Sequence, residues 1–390
     1  MTERSDISVL TISQYGSDLA QGSAYSGALL RQKDYASFVT QYVVLVPSVA
    51  TEDEHTHGEG LRIVPLRSRG IIDFLRKAYT TSIQLHAQYH FDVVMVDNPH
   101  VGGILGVLLR WRLGIPLVVH SMADVIYNPW YRRERLSNRI KDCMTRCVIP
   151  WVDILRVSTQ YEYERITSCG FDMKKISVIP FYVDEVAFTT RLEEATVEKI
   201  PNSLLFVGRL SYQKDLATLI RAMKTVLLRT SDARLRIVGS GSEESTYRAL
   251  ASSIGVSGSV DFLGAVPYAS VPAEFKQASV FVLSSLYEGT CMVLHEAALA
   301  CLPIVSTDVA GAHDFIRSGV EGQLVPVRDD VALGNAIADI LANRAQVVAM
   351  GQKSNSRVAA FSREKALAAW QELCITVNDM KKARGKTSLV

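Results

Sequence analysis

Short apolar runs rich in Val, Ile and Leu recur along this chain, each closed by a turn-forming or polar residue and followed by a segment of helical period. In the first part these runs are Ile7–Ile12, Tyr42–Val46, Leu61–Pro65, Asp92–Val96, Ile115–His120, Ile154–Val157 and Ile176–Ile179. In the second they are Leu204–Val207, Leu235–Val238, Val260–Leu263, Val280–Leu283 and Ile304–Ser306. Segments such as Ala24–Lys33, Ile71–His90, Val101–Leu113 and Tyr161–Gly170, then Asp215–Arg229, Glu243–Ile254, Val271–Gln277 and Val331–Asn343, have the spacing of helices. Strands alternating with helices demand an α/β fold with parallel, doubly wound sheets. Pro180–Pro201 is charged and lacks a long apolar run, so the boundary between two such domains falls there. The expected division is 1–183 and 184–362, with 363–390 forming a last helix, Glu364–Lys381, and a basic tail.

The chain has 390 residues, enough for two cores, and a net charge of +2, too small to imply nucleic acid as a partner. The six cysteines are mostly far apart, and the Cys143/Cys147 pair has no second pair at zinc-ligand spacing, so reduced thiols and no metal are expected. The polar Met1–Ser8 does not resemble a signal peptide, and Val101–Leu109 is too short to span a bilayer; a cytoplasmic protein is expected. Thr51–Gly60, with Glu52, Asp53, His55 and His57, reads as a solvated loop rather than a metal site. Trp130–Pro150 sets Arg132, Arg133, Arg135, Arg139 and Arg146 beside Leu136, Ile140, Met144 and Val148 at helical spacing. It reads either as a surface helix with its apolar face in the core or as a basic amphipathic helix, Trp130–Arg146, lying on an anionic membrane.

The densest chemistry lies in Leu286–Pro303. Val280–Leu283 ends at Ser284-Ser285, Gly289 and Thr290 break the chain, and Cys291–Cys301 reads as a helix. This is the carboxyl end of a strand facing the amino end of a helix, where α/β sheets bind ligands and helix amides receive phosphate. Glu288 lies on the turn. Glu296 shares a helix face with Met292, Val293, Leu299 and Ala300; it is either an exposed acid or a buried one needing a partner. Gly208-Arg209 closes one strand, Lys214 precedes the next helix, and Gly239-Ser240-Gly241 closes another strand. Two cations and two glycine turns at strand ends suit phosphate.

Phe206-Val-Gly-Arg-Leu210, Lys214-Asp-Leu216, Ile237-Val-Gly-Ser-Gly241, Phe262-Leu-Gly264 and Glu288–Glu296, with seven residues between the acids, together resemble the retaining glycosyltransferases of family 4. The resemblance is strong over Ser203–Leu341 and rests on element order before residue 180. It implies the GT-B fold: two facing Rossmann-like domains, acceptor on the first, nucleotide-sugar donor on the second, and a last helix crossing back to the first. It also implies that Glu296 takes the ribose hydroxyls, with Met292 and Val293 beside it in the donor site, and that Glu288 meets the donor sugar. Gly22-Ser23 aligns with a Gly-Gly loop near the donor phosphates, Gln21 replacing the first Gly, and His120 falls where the family places a His near the reacting centre. His100 is either a further site residue or a loop residue. Thr290, Cys291, Cys301 and Asp314 depart from the usual Phe-Gly, Gly and Glu.

The expectation is a retaining glycosyltransferase of GT-B fold, moving a sugar from a nucleotide-diphosphate donor to a hydroxyl of a glycan or polyprenyl-linked acceptor, in cell-surface polysaccharide or glycolipid synthesis. It would be cytoplasmic or peripheral on the inner face of the membrane. No Asp-x-Asp motif sits at a strand end, and Arg209, Lys214 and helix amides can do a metal's neutralising work, so no cofactor or metal is expected. A nucleotide-sugar isomerase, a sugar phosphorylase or a non-catalytic nucleotide-binding scaffold are the alternatives.

Overall fold

The computed structural model describes residues 4–14, 19, 27–49, 55–57 and 60–387. Among these residues the strands form two sheets. The first contains β1 (Ser5–Ile12), β2 (Val39–Ser48), β3 (His55–His57), β4 (Leu61–Arg67), β5 (Val93–Val96), β6 (Leu117–His120), β7 (Ile154–Val157) and β8 (Ile176–Val178). Their order is β3-β4-β2-β1-β5-β6-β7-β8, parallel throughout except for β3 against β4. The second contains β9 (Ser203–Val207), β10 (Arg234–Val238), β11 (Val260–Gly264), β12 (Val280–Leu283), β13 (Ile304–Thr307) and β14 (Gly322–Val325), in the all-parallel order β11-β10-β9-β12-β13-β14. The central strands read as unbroken apolar runs because helices cover both faces; all four residues of β5 and of β12 are buried. Strand order reverses between β1 and β5 in one sheet and between β9 and β12 in the other, and ligand crevices form at such reversals.

The last helix, Arg363–Thr387, returns to the first sheet. Trp370 stacks on Tyr35 with ring centroids 4.1 Å apart, and Leu373, Cys374 and Val377 join the core beneath β1 and β2. Arg363 pairs with Asp34, and Lys381 with Asp92 at 3.1 Å.

Three readings need correction. Pro180–Pro201, read as the domain boundary and given no element, contains the helix Glu185–Glu194, capped by Asp184 and burying only Phe188, so no apolar stripe betrays it. The helix Arg344–Val358 escaped for a related reason: its inner face is Met350, Gly351, Ser354 and Val358, mostly small or polar. Third, Trp130–Pro150 is two helices, Pro129–Glu134 and Leu136–Val148, and the second turns its polar residues inward. Asn138, Asp142 and Thr145 are buried, whereas Leu136 is 73% and Ile140 59% exposed. Asn138 donates to Tyr131 O, and Asp142 pairs with Arg146 and Arg132, so the buried polar face is satisfied; of the apolar positions Leu136 and Ile140 point to solvent, Met144 is half-buried and Val148 joins the core. Of Thr51–Gly60, His55–His57 forms the edge strand β3, and residues 51–54 and 58–59 lie outside the described residues. Cys143 and Cys147 are exposed free thiols, and no group of three His, Cys, Asp or Glu side chains among the described residues could hold a metal.

Candidate active site

The turn after β12 carries Glu288. Lys214 and the Ser285 hydroxyl, the latter at 2.6 Å, both donate to Glu288 Oε1, and Oε2 has no partner among the described residues. Lys214 arrives from the turn after β9, held by its N–H on Ser211 O (3.0 Å) and by the Ser284 hydroxyl on its own carbonyl (2.8 Å). A lone carboxylate with 8% exposure would be costly, and the ammonium offsets that.

The helix beyond begins one residue later than its spacing suggests, at Met292, and ends at Leu299. It has no side-chain cap. The Met292 N–H turns back onto Thr290 O and that of Leu294 onto Cys291 O, both at 2.9 Å, while the Val293 N–H meets no acceptor among the described residues. A free first-turn amide is what an anion at a helix amino end uses. Glu296, one turn on, is 7% exposed, so the exposed reading fails. The Tyr268 hydroxyl donates to its Oε1 at 2.9 Å, and Oε2 has no partner among the described residues. Burial pushes its carboxyl up to about 7, with the tyrosine hydrogen bond pulling the other way. Sequence gave no hint of Tyr268, which comes from a different βα unit. Ser285 was visible as half of the Ser-Ser pair at the strand end.

The two glycine turns pack on each other. Gly239 has φ of +132°, and a Cβ there would lie 1.9 Å from the Gly208 carbonyl oxygen. Gly208 N–H bonds Val238 O (3.0 Å) and Leu210 N–H bonds Ser240 O (2.9 Å), so β9 and β10 end in one backbone-lined shelf. Arg209 leaves this shelf into solvent; its side chain is exposed and has no hydrogen bond or ion pair among the described residues. Lys214 is neutralised by Glu288, which makes Arg209 the unmatched cation of the pair. Gly22 lies outside the described residues.

From the first domain, His120 ends β6 with 4% exposure. Its Nε2 is buried without a hydrogen-bond partner among the described residues, and burial together with Arg156 holds the imidazole well below its usual range. It is therefore neutral. Asp124 is engaged in structure, chelated by Arg165 and bonded by Asn128 Nδ2 at 2.8 Å. His100 is a cap: its Nδ1 accepts from the Val101 N–H at 2.9 Å at the start of the helix Val101–Leu113.

The domains meet around this turn. A Cβ on Gly289 would stand 2.6 Å from Met122 O, so the turn itself touches the first domain. The Thr290 hydroxyl bonds Ser158 O and receives the Phe181 N–H, both at 3.3 Å. Tyr287 donates to Glu134. Asp314 accepts the Tyr161 N–H at 3.0 Å and that of Gln160, capping a first-domain helix from the second domain. In this arrangement its side chain joins the domains.

A model of glycosyl transferases group 1 matches residues 190–357, and one of a glycosyl transferase 4-like domain matches residues 33–181. The two cover the two sheets in order. The chain belongs to the group 1 glycosyltransferases. A D-inositol 3-phosphate glycosyltransferase of Corynebacterium urealyticum is 26% identical over 318 residues, 76% of this chain and 74% of that protein. Among solved structures, the fold is similar to sucrose-phosphate synthase from Thermosynechococcus elongatus, with TM-score 0.77 and 18% identity over 95% of this chain and 99% of that one. It is also similar to Anabaena HepE, solved with UDP and glucose, with TM-score 0.70 and 16% identity over 96% and 100%. This group 1 glycosyltransferase has the GT-B architecture, two parallel-sheet domains with a last helix crossing back.

Proposed function

We propose that the chain is a retaining, metal-independent glycosyltransferase. It moves a sugar from a nucleoside diphosphate sugar to a hydroxyl of a glycan or polyprenyl-linked acceptor, in the assembly of a cell-surface polysaccharide or glycolipid. The observation that carries this reading is the pair of acids on one strand–turn–helix, Glu288 and Glu296, each with one oxygen held by the protein and one without a partner among the described residues. HepE, of similar fold, is solved with UDP and glucose, in keeping with a nucleotide-sugar donor.

The chemistry follows from where charge develops. As the bond from the anomeric carbon to phosphate oxygen breaks, its electron pair stays on the diphosphate. Arg209 meets that charge with a planar fork, the Val293 N–H and the remaining Lys214 donors add to it, and the Gly208/Gly239 shelf lets backbone approach closely. Positive charge builds on the sugar, where the free oxygen of Glu288 lies opposite it. The free oxygen of Glu296 accepts from ribose. His120, neutral and unpartnered, is available to a sugar hydroxyl. The acceptor oxygen bonds the anomeric carbon on the face that the diphosphate leaves, and its proton passes to the departing phosphate oxygen, so no protein base is assigned.

The same reading places the chain in the cytoplasm, on the inner face of the membrane. Leu136 and Ile140 are exposed on one helix; on the neighbouring helix Val101–Leu113, Ile104, Leu108 and the 55%-exposed Trp111 share one face, and the exposed Trp151 packs edge-on against Trp111 at 4.9 Å. Arg132, Arg133, Arg135, Arg139 and Arg146, all exposed, lie on the same two-helix segment as Leu136 and Ile140. Exposed apolar side chains, tryptophans and arginines on neighbouring helices fit an anionic bilayer surface. No helix among the described residues is long and apolar enough to cross a membrane.

The test is a screen of nucleoside diphosphate sugars by thermal shift, followed by transfer assays in excess EDTA with the product's anomeric configuration read by NMR. The account expects turnover in EDTA and the donor's configuration in the product. An inverted product, or activity lost in EDTA and restored by Mg²⁺ or Mn²⁺, contradicts it. A phosphorylase would instead require phosphate.

A further inference from the structure

A cavity of about 320 Å³ lies between the first domain and the turn that follows Gly289, lined among others by Arg31, Asp97, His120, Arg156, Thr290 and Met292. Its charge is unusual for a buried space. Arg156 stands in the middle of β7 with 3% exposure, a cation in an otherwise apolar strand. Its Nη2 bonds the Tyr35 hydroxyl at 2.8 Å and, more weakly, Ile179 O at 3.4 Å. Its remaining N–H groups have no protein partner among the described residues; the guanidinium rests on the rings of Tyr35, Phe181 and Trp370 instead.

Arg31 reaches the same cavity from the helix Gly27–Ala36. Among the described residues its polar contacts are long, 3.5 Å to Tyr182 O and 4.0 Å to Met292 Sδ. Its guanidinium lies 5.1 Å from the Phe181 ring centroid, the same distance as that of Arg156, so one ring carries both cations. Facing them is the buried carboxyl of Asp97, pushed up to about 6 by burial. Asp34, on the same helix as Arg31, is already taken by Arg363 and by the Tyr182 hydroxyl at 2.6 Å. His120 is neutral and its buried Nε2 is unsatisfied. Two guanidiniums with open N–H groups thus face one carboxyl in a cavity beside the reacting centre. Burying such a charge without a matching anion costs free energy, which a bound anion would recover.

We propose that this cavity binds an anionic group, a carboxylate or phosphate monoester, carried by the acceptor or by the transferred sugar. Arg31 and Arg156 grip the anion, and His120 bonds a neighbouring hydroxyl. The inference rests on the transferase reading and narrows its substrates to acidic ones on one side of the reaction.

The test uses the full chain saturated with the nucleoside diphosphate selected in the thermal-shift screen. D-Glucuronate, glycerol 2-phosphate and D-glucose are titrated into wild type, Arg31→Gln and Arg31→Lys. The wild type should bind at least one of the two anions about tenfold or more tightly than glucose, the scale of one charge-assisted hydrogen bond. Arg31→Gln should abolish the preference, Arg31→Lys should recover part of it, and neither should alter nucleotide affinity. Equal binding of all three probes, or an unchanged preference in Arg31→Gln, overturns the proposal. So does an equal loss of nucleotide affinity, because the cations would then serve the donor diphosphate. Nucleotide binding, measured in the same samples, reports separately on the transferase reading. Turnover with acidic and neutral versions of donor and acceptor then locates the anion: Arg31→Gln should erase discrimination on the side that carries it, and no change on either side also overturns the proposal.

Discussion

Glu296 makes nucleotide binding depend on pH in a way that a ribose-binding role requires. In the free protein its carboxyl is pushed up to about 7 by burial, with Tyr268 its one hydrogen-bond donor among the described residues. Ribose hydroxyls donate, so they bind the ionised carboxylate and not the acid. With a carboxyl near 7, roughly one-tenth is ionised at about pH 6 and roughly nine-tenths at about pH 8. Affinity for a nucleoside diphosphate should therefore rise about tenfold across that interval, about 1.4 kcal/mol. The nucleotide's own terminal phosphate titrates near pH 6 and adds to the trend. Glu296→Gln, which keeps the shape and cannot ionise, isolates that contribution. Calorimetric titration of both proteins across the interval should give a steep dependence in wild type and only the shallow phosphate one in Glu296→Gln. Parallel curves for the two proteins would refute the assignment of Glu296 to ribose.

Two further outcomes follow from the geometry. Arg209 is exposed and has no ion-pair partner among the described residues, so Arg209→Ala should melt like wild type yet lose about 1–3 kcal/mol of nucleoside diphosphate affinity; unchanged affinity by titration would remove it from the site. Leu136→Glu with Ile140→Glu, both on the exposed face, should leave the fold intact and abolish sedimentation with anionic vesicles, wild-type binding itself weakening as salt is raised; equal wild-type partition to neutral vesicles would sink the electrostatic account.

What the sequence made legible was whatever has one physical cause. Runs such as Val93–Val96 and Val280–Leu283 are apolar because they are buried on both faces, and both read correctly as strands. The Glu288–Glu296 spacing was visible because one turn and one helix carry both acids. Partnerships made by tertiary contact were not legible. Tyr268 meets Glu296 across two βα units, and Arg31 and Arg156 meet over Phe181 from elements far apart in the chain. Arg156 did leave a signal, a charge inside the apolar run Ile154–Val157. The helix Leu136–Val148 misled in the opposite direction: amphipathic spacing marks two faces, and it cannot say which is buried when the polar face is satisfied by Tyr131, Arg132 and Arg146. Strand β14 went unread because Gly322-Gln323-Leu324-Val325 has too few apolar residues to stand out.

The central claim is that Glu288 acts on the sugar as it is transferred and does not hold the nucleotide. Glu288→Gln keeps an acceptor oxygen for Lys214 and Ser285, so the turn should stay folded. The deciding measurement is nucleoside diphosphate affinity and kcat side by side in this variant, on the donor found by screening. The account predicts near wild-type nucleotide affinity with kcat reduced by about tenfold or more, because the lost interaction is felt mainly in the transition state. Abolished nucleotide binding, or an unchanged kcat, would contradict it.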